Sequence, residues 1–277
     1  MRILVTGGSG HLGRAIVPAL QSEGHQVRIL SRQPRRDPDV EWILGDLSTS
    51  DRLLDAVTDV EAIIHAATNS PAARRGRFKV ADFLRSPVDV DVSGTSALLA
   101  AAELAKVEHF LHVSIVGLEH LKLMPYARHK LQAEQIVKSS NVPWSIVRAT
   151  GFFWLVERMC ANLVKQRILA LPAHVSMAPV DSDEFARLIV GWVAQRRRGE
   201  REDFAGPQTI RITEIAEQYL AANGLQRQIR RAPLPKKIQA AITAGNTAPH
   251  ARLGTTTWAQ WLKRRHAVEH PELGLAA

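Results

Sequence analysis

Three glycines near the N-terminus, Gly7, Gly10 and Gly13, have a spacing that gives each a separate role. They follow a short apolar run, Arg2–Val5, which is typical of a buried strand. Gly7 permits a tight turn, Gly10 lets the backbone approach a phosphate, and Gly13 lets the next helix pack closely on the strand. That helix, predicted over Leu12–Ser22, directs its free amides and positive dipole end at a pyrophosphate. The spacing therefore predicts a dinucleotide-binding turn, the alternative being a purely structural glycine-rich turn.

The end of the second predicted strand, Val27–Leu30, indicates which dinucleotide is bound. An acidic residue there binds the ribose hydroxyls of NAD, whereas an arginine favours the 2′-phosphate of NADP. Here Ser31 and Arg32 follow the strand, Arg35-Arg36 come just behind, and the first carboxylate is Asp37. The Arg32 guanidinium can offer paired donors to a phosphate, and Ser31 can offer another. We predict NADP(H); the alternative is that Arg32 is an ordinary exposed loop arginine.

Two further predicted strands, Glu41–Leu44 and Ala62–His65, end in loops that could contact the same cofactor. Gly45-Asp46-Leu47 follows the first, where the Asp46 carboxylate can accept from an adenine amino group. Ala66-Ala67-Thr68 follows the second, and its small side chains would let the backbone pass close to the cofactor. Each loop alone is equally compatible with an ordinary strand-to-loop transition. Their position after successive strands favours cofactor binding.

Ser114, Tyr126 and Lys130 form a second group with chemical potential. Ser114 ends the predicted strand Phe110–Val113, and Pro125 opens the helix that carries the other two. Tyr126 and Lys130 are four residues apart and therefore lie on one face of that helix. The lysine ammonium, together with an oxidised nicotinamide, would lower the tyrosine pKa and ease proton transfer. Ser114 would hydrogen-bond a substrate oxygen that gains negative charge. The alternative is an interfacial tyrosine beside a solvated lysine.

The elements that must position these residues alternate along the first half of the chain. In addition to the strands above, the pattern predicts a strand over Trp144–Arg148 and helices over Asp51–Val57, Thr95–Ala105 and Tyr126–Ser139. This alternation predicts an α/β fold, a Rossmann-type doubly wound parallel sheet. We assign residues 1–150 to the NAD(P)-binding domain and 151–277 to a smaller substrate-binding lobe, with 180–200 packing back on the first domain.

Further elements are predicted in the second half of the chain, although strands and helices alternate less regularly there. They are a helix near Asp183–Ala194, a strand over Gln208–Ile212, a helix over Thr213–Asn223, a strand over Gln228–Ala232 and a closing helix over Trp258–Arg265. The stretch Pro233–Pro249 reads as irregular or weakly helical. The aromatic run Phe152-Phe153-Trp154 fits either a core or a substrate platform.

Composition narrows the class of protein. The chain has 277 residues, with 36 Lys and Arg against 27 Asp and Glu, a formal net charge of +9. Short arginine-rich runs such as Arg74–Arg77 and Arg196–Arg198 lack interleaved aromatic residues, so solvated surface is favoured over nucleic-acid binding. Cys160 is the only cysteine, which excludes an internal disulfide and favours a reducing cytoplasm. The opening core strand leaves no room for a signal peptide, and no apolar stretch is long enough to cross a bilayer.

Metal chemistry is not expected. His109 and His112 are three residues apart on a predicted strand, so their side chains face opposite sides, and no His-Glu-x-x-His pattern occurs. Ordinary packing or surface histidines explain them. Cys160 is expected to be a buried structural residue.

These motifs resemble those of an atypical or extended short-chain dehydrogenase/reductase, in the NmrA-like NAD(P)H-binding branch. The resemblance is carried by the glycine run, by Asp91-Val-Ser-Gly-Thr95, by Ser114 with Tyr126 and Lys130, and by His112-Val-Ser-Ile-Val-Gly117 and Pro143–Phe153. It implies catalytic roles for Ser114, Tyr126 and Lys130. With the strand ends above, the cofactor-binding set is Thr6, Gly7, Gly10, His11, Leu12, Gly13, Ser31, Arg32, Asp46, Leu47, Ala66, Ala67, Thr68 and Lys130.

The resemblance implies an NADPH-dependent oxidoreductase that transfers hydride to a carbonyl, quinone or dye-like small molecule. Asp91 stands where the family often has an asparagine associated with a water-linked proton relay, a departure that bears on that relay. Some members of the branch lack the tyrosine and sense cofactor without turnover, so a redox sensor that regulates a protein partner is the alternative. A nucleotide-sugar epimerase is disfavoured by Arg32. A small-molecule substrate, a monomer or homodimer, and no membrane or nucleic-acid partner are expected.

Overall fold

The computed structural model describes residues 1–33, 37–71, 75–77 and 86–269, with side chains up to residue 267. Its strands are β1 (Arg2–Thr6), β2 (Gln26–Ser31), β3 (Val40–Leu44), β4 (Ala62–His65), β5 (His109–Ile115), β6 (Trp144–Ala149), β7 (Ile168–Leu171), β8 (Ser176–Met177), β9 (Glu200–Ala205), β10 (Ile210–Arg211), β11 (Gln228–Arg231) and β12 (Arg252–Leu253). Its α-helices are α1 (Gly13–Ser22), α2 (Leu53–Val57), α3 (Thr95–Leu104), α4 (Pro125–Lys138), α5 (Phe153–Leu163), α6 (Ser182–Ala194), α7 (Ile212–Ala222), α8 (Lys236–Ala244) and α9 (Trp258–Glu269).

Within the described residues, eight strands form one sheet in the order β12-β9-β6-β5-β4-β1-β2-β3. Every registered pair in this sheet is parallel. All four side chains of β4 are buried, as expected of a strand covered on both faces. The predicted Rossmann-type parallel sheet with flanking helices is therefore confirmed.

Two apolar cores lie on the two faces of the sheet. One joins β1 and β2 to α1 and α6, through residues such as Ile16, Phe185 and Ile189. The other joins the sheet to α2 and α3, through residues such as Ala56 and Leu98. Because β5, β4 and β1 are parallel neighbours, their carboxyl ends lie at one edge of the sheet. The loops that follow these strands carry the candidate site.

The second half of the chain is divided between the main sheet and a separate lobe. The helix α6 packs in the first core, and β9 extends the sheet beside β6. The lobe contains an antiparallel pair, β10 with β8, and a parallel pair, β11 with β7. Its principal apolar cluster surrounds Phe153 and Trp258.

The structure corrects the sequence-based boundaries in the second half. Residues 233–249, predicted as irregular or weakly helical, contain the nine-residue helix α8. The closing helix extends to Glu269 instead of ending at Arg265. The predicted strand over Gln208–Ile212 is reduced to β10, because α7 already begins at Ile212. Among the described residues, no helix combines the length and apolar composition that crossing a membrane requires.

Candidate functional site

The glycine turn is held in a shape that side chains would disrupt. Gly7 has φ +75°, and a Cβ on it would lie 2.8 Å from the backbone nitrogen of Ala67. A Cβ on Gly13 would lie 2.4 Å from the Gly7 oxygen, and one on Gly10 would lie 3.1 Å from that oxygen. The helix α1 starts at Gly13, and its N-cap residue, Leu12, provides no side-chain cap. The turn thus keeps open backbone beside an uncapped helix start, which fits the pyrophosphate of a dinucleotide.

His11 links this turn to the second half of the chain. Its exposed ring stacks on Trp154 in the first turn of α5, with ring centroids 4.0 Å apart and planes 10° apart. Burial and the charges of Arg14 and Arg158 lower the pKa of His11, which favours a neutral ring beside the turn. Of the aromatic run, Phe153 belongs to the core of the lobe, whereas Trp154 stacks on His11 of the glycine turn.

The predicted adenosine contacts lie at the ends of β2 and β3. Arg32 is exposed just beyond β2, and the Ser31 hydroxyl donates to the Gln33 carbonyl at 3.0 Å. Asp46 Oδ1 accepts from both the backbone nitrogen and the hydroxyl of Ser48, each at 2.8 Å, so this carboxylate organises its own turn. The side chain of Leu47 is buried in the second core. The arginines at 35 and 36, and residues 74, 78 and 79 of the basic stretch 74–79, lie outside the described residues.

The loop after β4 joins the glycine turn to the predicted catalytic helix. The backbones of Ala66 and Ala67 contact Gly7, and the next residue, Thr68, lies 3.0 Å from the Tyr126 hydroxyl through its Oγ1. The register of β1 with β4, in which Thr6 pairs with His65, sets this arrangement. The structure therefore brings the tyrosine to the edge of the sheet where the cofactor turn lies.

A buried carboxylate completes the surroundings of the tyrosine. Asp91 lies in a π-helical turn, Asp89–Gly94, that leads into α3. Its Oδ1 accepts from the Thr68 hydroxyl at 2.8 Å and lies 3.6 Å from Lys130 Nζ. Its Oδ2 accepts from the backbone nitrogen of Asn69 at 3.0 Å. The Asp91 side chain is inaccessible to solvent, so this ion pair is weakly screened.

In the protein alone, without the oxidised nicotinamide that the prediction included, the pKa of Tyr126 is raised. Burial raises the pKa of Tyr126 well above its ordinary value of 10.0, and the Asp91 carboxylate raises it further, while the hydrogen bond with Thr68 opposes both. Lys130 Nζ donates to the Val113 carbonyl at 3.1 Å and is paired with Asp91. The positive charge that would acidify the tyrosine is therefore compensated by its neighbouring carboxylate.

Ser114 is buried, and its hydroxyl is bound inside the protein. It donates to Glu134 Oε1 at 2.5 Å, and Glu134 forms a two-point ion pair with Arg148, at 2.7 and 2.6 Å. A second carboxylate, Glu119, lies 2.8 Å from Arg148 Nη1. The proton of Ser114 thus points at Glu134, so the predicted hydrogen bond to a substrate oxygen would require the hydroxyl to rotate.

A chain of buried hydrogen bonds braces the turn that holds Asp91. Thr95 Oγ1 donates to the Asp91 carbonyl at 2.8 Å, so it accepts from Nε2 of His65, 2.9 Å away. The other ring nitrogen of His65 then accepts from Thr6 Oγ1 at 2.7 Å. Burial lowers the pKa of His65 to about 3, with a contribution from the Lys130 charge. A neutral imidazole therefore connects the strand before the glycine turn to Asp91.

Other candidate chemistry is not assembled in the structure. No group of three or more His, Cys, Asp and Glu side chains among the described residues could hold a metal ion. His109 lies 2.9 Å from the Ser145 hydroxyl in the sheet. Cys160 is buried, and burial raises the pKa of its thiol. A buried thiol with a raised pKa is a poor nucleophile at neutral pH.

Sequence reasoning missed the Glu134–Arg148 pair and the role of Thr68 beside Tyr126. One signal was present, because Glu134 is four residues after Lys130 and eight after Tyr126 and so shares their helix face. Nothing local marks Arg148, which lies beside Ser114 only through the register of β5 with β6.

A parallel sheet with an open glycine turn, and a tyrosine and lysine at the same edge, defines a nicotinamide-dinucleotide-binding protein of the short-chain type. The chain belongs to the NAD(P)H-binding family, whose model matches residues 7–154. Within it, the chain is an atypical short-chain dehydrogenase/reductase of the NmrA-like branch, as its motifs indicated.

Two curated relatives and one solved structure illustrate the likeness. The chain is 29% identical to the photosystem II assembly factor Ycf39 of Cyanophora paradoxa, over 84% of this chain and 72% of that protein. It is 30% identical to a 3-beta-hydroxysteroid dehydrogenase of Mycolicibacterium neoaurum, over 98% of this chain and 79% of that protein. A short-chain dehydrogenase/reductase superfamily protein of Agrobacterium tumefaciens with bound NAD shares the fold, with a TM-score of 0.74, 21% identity and coverage of 99% and 98%.

Proposed function

We propose that this protein is an NADPH-dependent reductase that transfers hydride to a small carbonyl, quinone or dye-like acceptor. The observation that carries the proposal is the position of Thr68, which bonds the Tyr126 hydroxyl while the two residues before it contact Gly7. This proximity of Tyr126 to the glycine turn supports a role for its hydroxyl as proton donor beside a dinucleotide bound there.

The glycine turn, with the start of α1, holds the pyrophosphate in this proposal, and Lys130 bonds the ribose hydroxyls. Bound cofactor supplies a hydride. Tyr126 donates its phenolic proton to the acceptor oxygen as negative charge develops there. The ring of His11, within the turn, stacks on that of Trp154 and so links the turn to the helix α5.

The preference for NADPH over NADH rests on Arg32. It is exposed just after the end of β2, where the sequence has no carboxylate before Asp37, and it can offer a planar pair of donors to the 2′-phosphate. The test is cofactor binding by fluorescence. We expect Arg32→Ala to weaken NADPH by at least about tenfold and to leave NADH unchanged, whereas Arg167→Ala, an exposed arginine of the lobe, changes neither. An unchanged NADPH-to-NADH ratio in Arg32→Ala would refute the preference.

Catalysis is tested by NADPH consumption against quinones, aldehydes and ketones, with a 3-ketosteroid included because one relative is a hydroxysteroid dehydrogenase. Tyr126→Phe removes the proton donor and should lower turnover by about 100-fold or more, with NADPH binding retained. The chain offers a matched control, because Tyr219 is the only other tyrosine and is buried in the lobe. Tyr219→Phe should turn over like the wild type.

A second candidate is a cofactor-binding protein that regulates or assembles a protein partner without turnover. It is favoured by the 29% identity to an assembly factor, which extends over 84% of this chain. Tight NADPH binding with no consumption of any acceptor would support it against the reductase. We place either activity in the cytoplasm, following the single cysteine.

A further inference from the structure

We infer that Asp91 is a positioning residue that keeps Tyr126 a neutral phenol, with Thr68 orienting the phenolic proton. This departs from the arrangement in which a neighbouring lysine promotes the phenolate. The description of the phenol as a proton donor rests on the proposed function. The protonation state of Tyr126 does not, because the protein alone sets it.

The polarity of the hydrogen bonds follows from the carboxylate. A carboxylate only accepts, so the single hydroxyl proton of Thr68 lies on Asp91 Oδ1, 2.8 Å away. Thr68 Oγ1 can then only accept from Tyr126, whose hydroxyl is 3.0 Å away. Without substrate the phenolic proton is therefore directed at Thr68, and its transfer to an acceptor requires the hydroxyl to rotate. A phenolate would have no proton from Thr68 unless the bond to Asp91 were broken.

The charges around Tyr126 lead to the same result. From its own helix, Lys130 is paired with Asp91 at 3.6 Å. From the sheet, His65 and His112 are neutral near pH 7 because burial lowers both pKa values. Glu134 and Arg148 neutralise one another through two short hydrogen bonds. Asp91 is the charged group linked to the phenol through Thr68, and its negative sign opposes ionisation of the phenol.

The position of Asp91 is fixed by contacts that do not involve Tyr126. Its Oδ2 accepts from the Asn69 backbone, and its carbonyl accepts from Thr95. Its side chain has no exposed surface. A carboxylate held this firmly acts on the phenol at a constant distance, so the tyrosine remains a proton donor over a wide pH range.

The test is a pH titration of Tyr126 by NMR of tyrosine labelled with ¹³C at Cζ, in the full chain without substrate. With only two tyrosines, Tyr219→Phe leaves a single signal. We expect this signal to remain that of a neutral phenol beyond the ordinary tyrosine pKa of about 10. Ionisation below that value would overturn the inference, because it would mean that Lys130 governs the tyrosine.

Asp91→Asn in the same background isolates the carboxylate. The asparagine oxygen can still accept from Thr68, but the negative charge is gone, so Tyr126 should ionise at least about one pH unit earlier. An unchanged titration of Tyr126 in a folded Asp91→Asn protein would overturn the inference. If that variant does not fold, the titration of Tyr126 in the protein with Asp91 intact remains the test. Because neither measurement needs turnover, a protein that binds NADPH without consuming it can pass this test while the proposed reductase fails.

Discussion

Substituting His112 gives a quantitative test of how the buried polar groups behind the site are held. His112 lies on β5 with no exposed surface, and neither ring nitrogen has a hydrogen-bond partner within the described residues. Its ring is 5.3 Å from that of His65. Burial lowers the pKa of His112 well below 6.5, and the charges of Lys130 and Arg148 lower it further.

The sign and size of the effect follow from proton linkage. The folded protein keeps His112 neutral, whereas the unfolded chain binds a proton below about pH 6.5, so the free energy of unfolding falls as pH falls. A histidine that stays neutral in the folded protein lowers the free energy of unfolding by about 2 kcal/mol when the pH falls from 7.5 to 5.0. His112→Leu removes that contribution. Over this pH interval the free energy of unfolding of the variant should therefore fall by about 2 kcal/mol less than that of the wild type.

The assay is urea unfolding at both pH values, followed by the fluorescence of the six tryptophans. Packing changes caused by the leucine shift stability at both pH values and cancel in the difference. His174→Leu, a substitution of an exposed histidine, is the control and should leave the difference as in the wild type. If His112→Leu and the wild type lose the same stability within about 0.5 kcal/mol, a typical error for such comparisons, His112 is not held neutral and the reasoning fails.

Four further substitutions test the glycine turn, the helix α6 and the buried ion pair. Gly13→Ala should abolish NADPH binding, measured by fluorescence titration, because its Cβ would lie 2.4 Å from backbone atoms. Gly191 lies in α6 with open space around it, so Gly191→Ala should raise the free energy of unfolding by about 0.5–1 kcal/mol, measured by urea unfolding. Glu134→Gln leaves the buried Arg148 without its two-point partner and should cost about 3 kcal/mol in urea unfolding. Ser114→Ala removes one hydrogen bond to that carboxylate and should cost about 1.5–3 kcal/mol, while NADPH turnover falls by less than about tenfold. Turnover lost entirely in Ser114→Ala would show that the hydroxyl rotates toward substrate.

The parts of the molecule that follow from local pattern were predictable from the sequence. The run Arg2–Val5 with the three glycines that follow it predicted a strand, turn and helix, and the structure has β1 and α1 there within one residue. Tyr126 and Lys130 were placed on one helix face by their spacing alone, and α4 bears this out. Such features depend on neighbours within a few positions, for which sequence reasoning is sufficient.

The electrostatics of the site could not be predicted because they depend on contacts distant in sequence. Thr68 and Tyr126 are 58 positions apart, and Glu134 meets Arg148 only through the register of β5 with β6. Whether Lys130 acidifies the tyrosine depends on where Asp91 sits, and that is set by the π-helical turn and by Thr95. Spacing alone therefore identified the residues but not the burial and the Asp91 carboxylate that raise the pKa of Tyr126 in the protein alone.

The most direct test of the reductase proposal is NADPH consumption by the wild type and Tyr126→Phe, side by side, against the panel of quinones, aldehydes and ketones. We predict that at least one class is reduced by the wild type and that its turnover falls about 100-fold in Tyr126→Phe, with NADPH still bound. Equal turnover in the two proteins, or NADPH binding with no consumption by either, would contradict the assignment of Tyr126 as the proton donor of a reductase.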